Sequence, residues 1–354
     1  MRPALLTSEP GDVQHGSGTA VAVANLGEAL ALNGVQLSIV RGRAHPLGHT
    51  LARARFNRAG NPARGMYDCI LGVGGDGHLI AAQDRTPFIA LPKALYLLVR
   101  PHEGLATRAM LGRHAALEAR ASRAADLVVV PSRFAAAVVH RSFDVPWSRI
   151  EVIPEPFPAA RWRSTLTPAA RQGRRVLIVA HLYRRKRVLD VIAAWPRVLR
   201  AHPDAELDIA GDGPELASVR RAASGLGGVR VLGHVSPDRL RALYARADVA
   251  VSASAHETFG YAVLEALAAG LPVVIAAAPA VVELCDGAVA EQVDIGDVAA
   301  LAGAIVTSLD ASVAAAAAAV NPGVAGRCDP RRIGAAYIQA IDRIRGGSSA
   351  PRRR

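Results

Sequence analysis

Hydrophobic and polar positions follow two recurring patterns along this chain. Short apolar runs bounded by turn residues predict β-strands, and longer segments with apolar residues three or four positions apart predict α-helices. The two patterns alternate throughout, which is typical of parallel sheets covered by helices. The runs predicted as strands are ALLTSE near the N-terminus, QLSIV (36–40), CILGV (69–73), PFIAL (87–91), ADLVVVPS (125–132), RVLIVA (175–180), AELDIAG (205–211), VRVLG (229–233), DVAVSAS (248–254) and PVVIA (272–276).

A proline-rich segment, IPEPFPAARWRSTLTP, has neither periodicity and separates two α/β series. The sequence therefore predicts an α/β protein with a Rossmann-like domain over 1–155, a linker over 156–172 and a second Rossmann-like domain over 173–332. The pattern IGAAYIQAIDRIR predicts a last helix, within 333–346, that is placed to pack back across the domain junction. The basic residues 347–354 are expected to be a disordered tail.

The composition indicates the size of the hydrophobic core and the cellular compartment. The 354 residues are 51% hydrophobic, which is enough to bury two domain-sized cores. Three widely spaced cysteines, Cys69, Cys285 and Cys328, fit neither a disulfide framework nor a metal cluster and favour a reducing compartment. The N-terminus lacks the pattern of a secretion signal, and the alanine-rich stretch Ser312–Val320 is shorter than the about 20 apolar residues that span a bilayer. We therefore expect a cytoplasmic protein.

The formal charge of +12 predicts an anionic partner: a phosphorylated ligand, an anionic membrane surface or another polyanion. Much of the arginine is spread along predicted helices, as on ordinary solvated faces. Nucleic acid is not expected as a partner.

Candidate chemistry is concentrated in HETFGYAVLEALAAGLPVV (256–274). Glu265 lies among apolar residues, where an unpaired charge is costly, so it needs water or a partner rich in hydrogen-bond donors, such as a sugar or ribose diol. Glu257 precedes it by eight residues. Thr258, Phe259 and Gly260 lie between them at a predicted helix start, where free backbone N–H groups attract phosphate.

This segment resembles the donor-site motif of the retaining glycosyltransferases of family 4, which have the GT-B fold. The resemblance continues upstream through VLIVAHLYRRKRVLDVIAAW, LDIAGDGPEL and VRVLGHVSPDRLRALYARADVAVSAS. It covers almost the whole second half of the chain. The resemblance implies two Rossmann-like domains with parallel sheets facing a central cleft, and a sugar transfer that needs no metal ion.

The resemblance also implies roles for single residues. Glu257 would meet the hydroxyls of the donor sugar, and Glu265 the nucleotide ribose. Lys186 matches the family's lysine that stabilises the leaving diphosphate. His181 stands where the family has an arginine, and Arg184 or Arg185 is the candidate substitute because guanidinium groups bind phosphate bidentately.

Further candidates follow from the same resemblance. They are Gly211 and Gly213 in GDGPEL near the nucleotide base, Gly16 and Gly18 in a glycine loop near donor phosphate and acceptor, and Lys93 where many relatives have a histidine near the reacting centre. The match is loose in the first half, so His102 or Glu103 is an alternative to Lys93 on the acceptor side. An ordinary turn or surface loop remains open for each of these positions.

The segment LGVGGDGHL (71–79) allows competing interpretations. Its glycines fit G-x-G-x-x-G, but no acidic residue stands about 20 positions later. The string GGDG resembles the nucleotide loop of diacylglycerol and NAD kinases, which normally continue with threonine where this chain has His78. We prefer a tight strand-to-helix turn that faces the crevice, with His78 as an acceptor-side candidate.

The sequence thus predicts a retaining glycosyltransferase of the hexosyltransferase type. It would move a sugar from a UDP-, GDP- or ADP-sugar, used as co-substrate, to a glycan, a lipid-linked acceptor or a small molecule. Catalytic roles are predicted for Lys186, Glu257 and Lys93, with no other cofactor and no metal. A lipid-linked acceptor would suit peripheral contact with the inner face of an anionic membrane. The alternatives are a phosphorylase or epimerase of the same fold, a GGDG-type lipid or NAD kinase, and a degenerate nucleotide-sugar-binding protein.

Overall fold

The computed structural model of the chain describes residues 1–8, 18–42, 49–58, 65–84, 86–166 and 173–347. It divides into two compact units. The first comprises Met1–Phe157 together with the C-terminal segment that begins at Cys328, and the second comprises Pro158–Arg327.

The first unit is built on a parallel sheet of six strands in the order β2-β1-β3-β4-β5-β6. Its elements, and those of the second unit in the next paragraph, are labelled in chain order. They are β1 (Pro3–Thr7), α1 (Gly18–Ala31), β2 (Ser38–Arg41), α2 (His49–Arg58), β3 (Cys69–Val73), α3 (His78–Asp84), β4 (Phe88–Leu91), α4 (Tyr96–Val99), α5 (Leu105–Ala124), β5 (Leu127–Val130), α6 (Arg133–Phe143) and β6 (Ile150–Val152), with the last helix of the chain, α15 (Pro330–Gly347).

The second unit also has six parallel strands, in the order β12-β11-β10-β7-β8-β9. Counted within the unit, this is the 3-2-1-4-5-6 order of the Rossmann fold, and the order reverses between β7 and β10. The elements are α7 (Ala159–Ser164), β7 (Arg175–Val179), α8 (Val188–Ala201), β8 (Glu206–Ala210), α9 (Leu216–Ala223), β9 (Val229–Gly233), α10 (Pro237–Arg246), β10 (Val249–Ser252), α11 (Tyr261–Ala268), β11 (Val273–Ala276), α12 (Pro279–Leu284), β12 (Ala290–Val293), α13 (Val298–Ser308) and α14 (Ala311–Ala325).

The predicted α/β class with two parallel sheets is confirmed, and every run predicted as a strand overlaps an observed strand. Two strands were not predicted, β6 with the sequence IEV and β12 with AEQV. Both lie at a sheet edge, where one side of the strand has no neighbour and polar side chains are tolerated. Their short polar sequences therefore lack the apolar run that marks the central strands.

The chain returns to the first unit through α15, which packs against α1. The helices approach closely at Gly334, where an added Cβ would lie 2.1 Å from the Ala29 carbonyl oxygen. Asn33 Nδ2 donates to the Arg331 carbonyl at 3.0 Å. The region predicted as linker contains the short helix α7, and residues 167–172 lie outside the described residues, as does the tail from residue 348.

Within the described ranges, no single helix is long and apolar enough to cross a membrane, although one helix pair bent by 84°, Val298–Ser308 with Ala311–Gly346, satisfies length and composition together.

Candidate active site

The reversal of strand order in the second unit brings two functional loops together. β7 and β10 are hydrogen-bonded neighbours, and ligands of such sheets bind beyond the carboxyl ends of the strands where the order reverses. The loop after β7 carries Lys186, and the loop after β10 carries Glu257. The Ala255 N–H donates to the Arg185 carbonyl at 2.8 Å, which ties the two loops to each other.

Lys186 and Glu257 form an ion pair at this edge of the sheet. Their side chains are 16% and 19% exposed, so both remain accessible to solvent. Burial opposes ionisation of Glu257, but the Lys186 ammonium and a hydrogen bond from Ser254 hold the pKa of Glu257 below its usual value. A small pocket beside the pair is lined by Lys186, Ser254, Glu257 and Gly260 among others. The structure thus brings the two predicted catalytic residues of this unit together as charged groups.

The start of α11 supplies backbone donors next to this pair. Gly260 is the residue before the helix and has φ 111°, a conformation that favours glycine. The first N–H groups of an α-helix have no intrahelical partner and carry the positive end of its dipole, so they suit an anion. Thr258 is half-buried, whereas Phe259 is only 6% exposed and its ring packs edge-on against Tyr261. Phe259 can therefore contribute its backbone rather than its side chain.

Glu265 lies half-buried one turn further along α11. Its partner is Tyr244 of α10, whose hydroxyl lies 2.9 Å from Glu265 Oε2. Burial raises the pKa of Glu265 to about 7, only partly offset by the Tyr244 hydrogen bond. The sequence indicated that Glu265 needs a partner but did not identify Tyr244. No local signal could have found it, because the two residues are 21 positions apart on different helices.

Gly211 and Gly213 are required by the packing of loops. They have φ 143° and 152°, and an added Cβ would lie 1.8 Å from the Ala180 carbonyl oxygen and 2.8 Å from that of Leu182 respectively. The Leu182 N–H also donates to the Asp212 carbonyl at 2.8 Å. Close approach of the loops after β7 and β8 therefore accounts for both glycines, and contact with a nucleotide base stays a prediction.

The remaining basic candidates lie on one short turn after β7. The His181 side chain is exposed, with its ring 6.3 Å from that of Tyr183, and Arg184 is also exposed. The Arg185 guanidinium lies over the Tyr183 ring, 4.4 Å from its centroid, and its charge helps to lower the pKa of Glu257. Arg185 is therefore the arginine that the structure places next to the Lys186–Glu257 pair.

Lys93 of the first unit is held in a buried ion pair. Its Nζ lies 2.5 Å from Glu155 Oε1, and the two side chains are 8% and 4% exposed. Burial alone would lower the pKa of Lys93, but the Glu155 carboxylate and the Tyr337 hydroxyl raise it above its usual value. The pair links the loop after β4, the segment after β6 and helix α15. The structure thus gives Lys93 a structural partner, and its catalytic role stays a prediction.

The aspartate of the GGDG segment is a buried hydrogen-bond acceptor within the first unit. Asp76 is fully buried and accepts hydrogen bonds from Ser8 N and Oγ, both at 2.8 Å, Arg53 Nε at 3.1 Å and Asn57 Nδ2 at 2.9 Å. Arg53 Nη1 also donates to His114 Nδ1 at 2.8 Å, so that nitrogen carries no proton. Both carboxylate oxygens of Asp76 are occupied by protein donors, which explains the segment without a nucleotide.

The other candidates of the first unit are spread over separate elements. His78 is 4% exposed, its Nδ1 lies 3.1 Å from the Gly75 carbonyl, and burial lowers its pKa. The acceptor-side role of His78 stays a prediction. His102 and Glu103 are half-buried at the turn before α5. Gly18 is the exposed first residue of α1, and Gly16 lies outside the described residues.

Within the described residues, no group of three or more His, Cys, Asp and Glu side chains is arranged to hold a metal ion.

Comparison with known proteins gives two kinds of match. Residues 173–311 match the family model Glycosyl transferases group 1. The glycogen synthase of Mycobacterium tuberculosis is 34% identical over 218 residues, which are 60% of this chain and 53% of that protein. A GDP-mannose-dependent α-(1-6)-phosphatidylinositol dimannoside mannosyltransferase of the same organism is 43% identical over 100 residues, 28% of this chain and 25% of that protein. The chain thus spans about half the length, or less, of these curated relatives.

Among solved structures, a sucrose-phosphate synthase from Thermosynechococcus elongatus superimposes with a TM-score of 0.80 at 21% identity, covering 98% of this chain and 100% of that one. Anabaena HepE in complex with UDP-glucose has a TM-score of 0.74 at 17% identity, covering 97% and 100%. At such identities the likeness concerns the fold. The chain therefore has the fold of the GT-B glycosyltransferases, and its residues 173–311 are similar to the glycosyl transferases group 1 family.

Proposed function

We propose that this chain is a glycosyltransferase that moves a sugar from a nucleotide-sugar donor to an acceptor with retention of anomeric configuration. The observation that carries the proposal is the Lys186–Glu257 pair next to the start of α11, beyond the β7 and β10 ends, within the domain that matches the glycosyltransferase family. A cation and helix N–H groups suit a diphosphate, and a carboxylate suits sugar hydroxyls.

The ion pair is suited to exchange partners when a donor binds. A lysine ammonium has three N–H donors, so Lys186 can keep Glu257 and also contact diphosphate oxygen. The Glu257 carboxylate then accepts hydrogen bonds from donor-sugar hydroxyls. In the proposed front-face displacement the acceptor oxygen bonds to the anomeric carbon as the bond to diphosphate breaks, and the acceptor proton passes to a diphosphate oxygen. Lys186, Arg185 and the α11 N–H groups stabilise the charge that develops there.

The donor is a UDP-, GDP- or ADP-sugar used as co-substrate, with no metal ion and no other cofactor. Support for two of these nucleotides comes from similar proteins, since Anabaena HepE was solved with UDP-glucose and one M. tuberculosis relative is named for its GDP-mannose dependence. Relatives named as glycogen synthase and as a phosphatidylinositol dimannoside mannosyltransferase make a glycan or a lipid-linked glycan the proposed acceptor.

The test of this proposal is a thermal-shift screen with UDP-, GDP- and ADP-sugars, since a ligand that binds only the folded state raises its stability. One donor should raise Tm, and Lys186→Ala should abolish that shift. Arg174→Ala is the matched control, because Arg174 lies near the amino end of β7 and pairs with exposed Asp204 at 2.5 Å. Absence of any shift with all three donors would contradict the proposal.

Product analysis tests the reaction type. Transfer to an alcohol or glycan acceptor, with the anomeric configuration of the donor kept in the product, supports a retaining transferase. Release of a sugar phosphate in the presence of inorganic phosphate would favour a phosphorylase instead. Consumption of ATP without any need for a nucleotide sugar would favour the kinase alternative, which the internal hydrogen bonds of Asp76 do not support.

A second candidate function is donor binding without turnover. The observation that favours it concerns Lys93, the predicted catalytic residue of the first unit. Lys93 forms a buried ion pair with Glu155. This candidate predicts a donor-induced Tm shift with no transfer across a broad acceptor panel. Transfer to any acceptor would exclude it.

Contact with an anionic membrane from the cytoplasmic side is part of the proposal for a lipid-linked acceptor. Its support is α5, which exposes Arg108, Arg113 and Arg120 while its one acidic residue, Glu118, is buried. At the start of this helix Leu105 is 84% exposed. Such a face suits an anionic interface. Cosedimentation with phosphatidylglycerol vesicles, lost on replacing these three arginines with glutamine, tests it.

A further inference from the structure

Three oxygen atoms meet between α10 and α11. The Tyr244 hydroxyl oxygen lies 2.9 Å from Glu265 Oε2 and 3.0 Å from the Ala262 carbonyl oxygen. Tyr244 is 1% exposed. A tyrosine hydroxyl carries one proton, and a carbonyl oxygen can only accept. The single Tyr244 proton therefore cannot be fully donated to both neighbours.

Only one distribution of protons fully satisfies both contacts. If Glu265 is protonated, its O–H donates to the Tyr244 oxygen and the Tyr244 O–H donates to the Ala262 carbonyl. If Glu265 is ionised, the Tyr244 O–H must turn to the carboxylate or be shared between two acceptors. The neutral arrangement uses every short contact, as buried polar groups require.

The surroundings of Glu265 also favour the neutral form. Helix α11 packs against α7, α14, β10 and β11. The ranges of α14, β10 and β11 contain no ionisable residue, and the arginines of α7, Arg161 and Arg163, are exposed. The ring of Trp162 on α7 packs edge-on against Tyr244, with centroids 5.7 Å apart.

The acidities of the two groups agree with this arrangement. Burial raises the pKa of Glu265 to about 7, and burial together with the Glu265 charge keeps that of Tyr244 well above its usual value. The proton that leaves first as pH rises therefore comes from Glu265. Glu257 pairs with Lys186, whose charge helps to hold the pKa of Glu257 below its usual value, so Glu257 is not the group that titrates near neutral pH.

We propose that Glu265, enclosed against Tyr244, is protonated in the empty site, that a ribose diol bound at Glu265 expels this proton to solvent, and that Tyr244 is the positioning residue that donates to the carboxylate so formed. The inference rests on the proposed function, since it assumes a nucleotide in this site. A vicinal diol offers two O–H donors, which stabilise a carboxylate better than a neutral acid. The O–H bond of Glu265 breaks, its proton passes to the buffer, and the Tyr244 O–H turns to donate to the carboxylate.

Nucleotide affinity should rise with pH, because ionised Glu265 is the form that binds the ribose diol. The apparent affinity equals the intrinsic affinity multiplied by the ionised fraction. Affinity should therefore fall about tenfold from about pH 8 to about pH 6, as that fraction falls. The terminal phosphate of a nucleoside diphosphate titrates at roughly pH 6 and adds its own dependence.

The test is calorimetric titration with UDP, GDP and ADP in turn near pH 6.5, in two buffers of different ionisation enthalpy, which measures the protons released on binding. The unmodified protein should release most of one proton more than the Glu265→Gln variant. The variant should still release the protons that come from the nucleotide phosphate. The 2′-deoxy form of the nucleotide that binds should release fewer protons from the unmodified protein, because it lacks one of the two donors.

Tyr244→Phe separates positioning from mere packing. Without the phenol, ionised Glu265 loses a hydrogen-bond donor, so the pH at which affinity is half-maximal should shift upward and binding should recover in alkaline buffer. A loss of affinity that is equal at every pH would overturn the role of Tyr244. Equal proton release by the protein and Glu265→Gln would overturn the coupling while leaving the proposed function intact. If none of the three nucleotides binds, the proposed function fails and this inference fails with it.

Discussion

The two units of this chain use ion pairs in opposite ways. In the second unit Lys186 and Glu257 are 16% and 19% exposed, close to helix N–H groups and a small pocket. In the first unit the Lys93–Glu155 and Arg53–Asp76 pairs have side chains that are 8% exposed or less. An accessible pair can exchange partners with a ligand, whereas a closed pair is part of the folded framework.

The physical reason for this difference is desolvation. Charges that leave water must find their hydrogen bonds inside the protein, and removing one partner then leaves an uncompensated charge, at a cost of about 3–5 kcal/mol. Exposed pairs contribute about 0–1 kcal/mol, because water competes for both charges. The comparison therefore predicts losses of stability in the first unit and losses of function in the second.

The largest expected effect is that of Asp76→Ala. The substitution leaves the Arg53 guanidinium, 1% exposed, without its carboxylate, so the free energy of unfolding should fall by about 3–5 kcal/mol in urea denaturation. Asp204→Ala, which breaks the exposed pair with Arg174, is the control. It should change the free energy of unfolding by less than about 1 kcal/mol. A loss below about 1 kcal/mol for Asp76→Ala would remove the distinction between closed and accessible pairs.

Lys93→Met should have the next largest effect. The free energy of unfolding should fall by about 3 kcal/mol, because Glu155 is left buried without its cation. Adding Glu155→Gln should restore part of the loss, since the unpaired charge is then gone. If the double variant is no more stable than Lys93→Met, the pair is not the source of the effect. Transfer measured on the same variants, at a temperature where they are folded, decides whether Lys93 also has its predicted catalytic role.

Glu257→Ala and Lys186→Ala should show the reverse pattern. Glu257→Ala should abolish transfer, and Lys186→Ala should lower turnover about a hundredfold or more, because a charge-stabilising donor is lost. The free energy of unfolding should change by no more than about 1 kcal/mol in either variant. Initial rates and denaturation curves of both proteins check this. A near-normal rate for Lys186→Ala would move the diphosphate role to Arg185.

Glu265→Gln should give the smallest effect, and one that depends on pH. The folded-state pKa of Glu265 is raised from 4.5 to about 7, so the stability that its neutral form contributes is present below about pH 4.5 and is lost as pH rises through about 7. Between pH 5 and pH 8 the native protein should therefore lose about 2 kcal/mol relative to Glu265→Gln. Glu291→Gln, an exposed carboxyl on β12, should show no such divergence. Parallel pH profiles for all three proteins would contradict the buried environment of Glu265.

Much of the fold could be predicted from the sequence, because a central parallel strand is buried on both faces and its apolar run is local. The run CILGV, for example, gives the bounds of the central strand β3 directly. The edge strands β6 and β12 were not predicted, because their sequences, IEV and AEQV, contain no such apolar run. The pairing of Lys186 with Glu257, 71 positions apart, was not predicted, because the resemblance gave each residue its own role at the donor and no local pattern links them.

The sequence by itself determined the α/β class, the division into two series of strands and the segment that carries Glu257, Gly260 and Glu265. These features depend on local periodicity and spacing. Only the tertiary structure decided which charges are accessible, because burial depends on which elements pack together. It surrounded Asp76 of the GGDG segment with donors from α2 and from the residue after β1, paired Lys93 with Glu155 next to α15, and set Tyr244 against Glu265. The same residue types thus have different roles, set by long-range packing that no local pattern encodes.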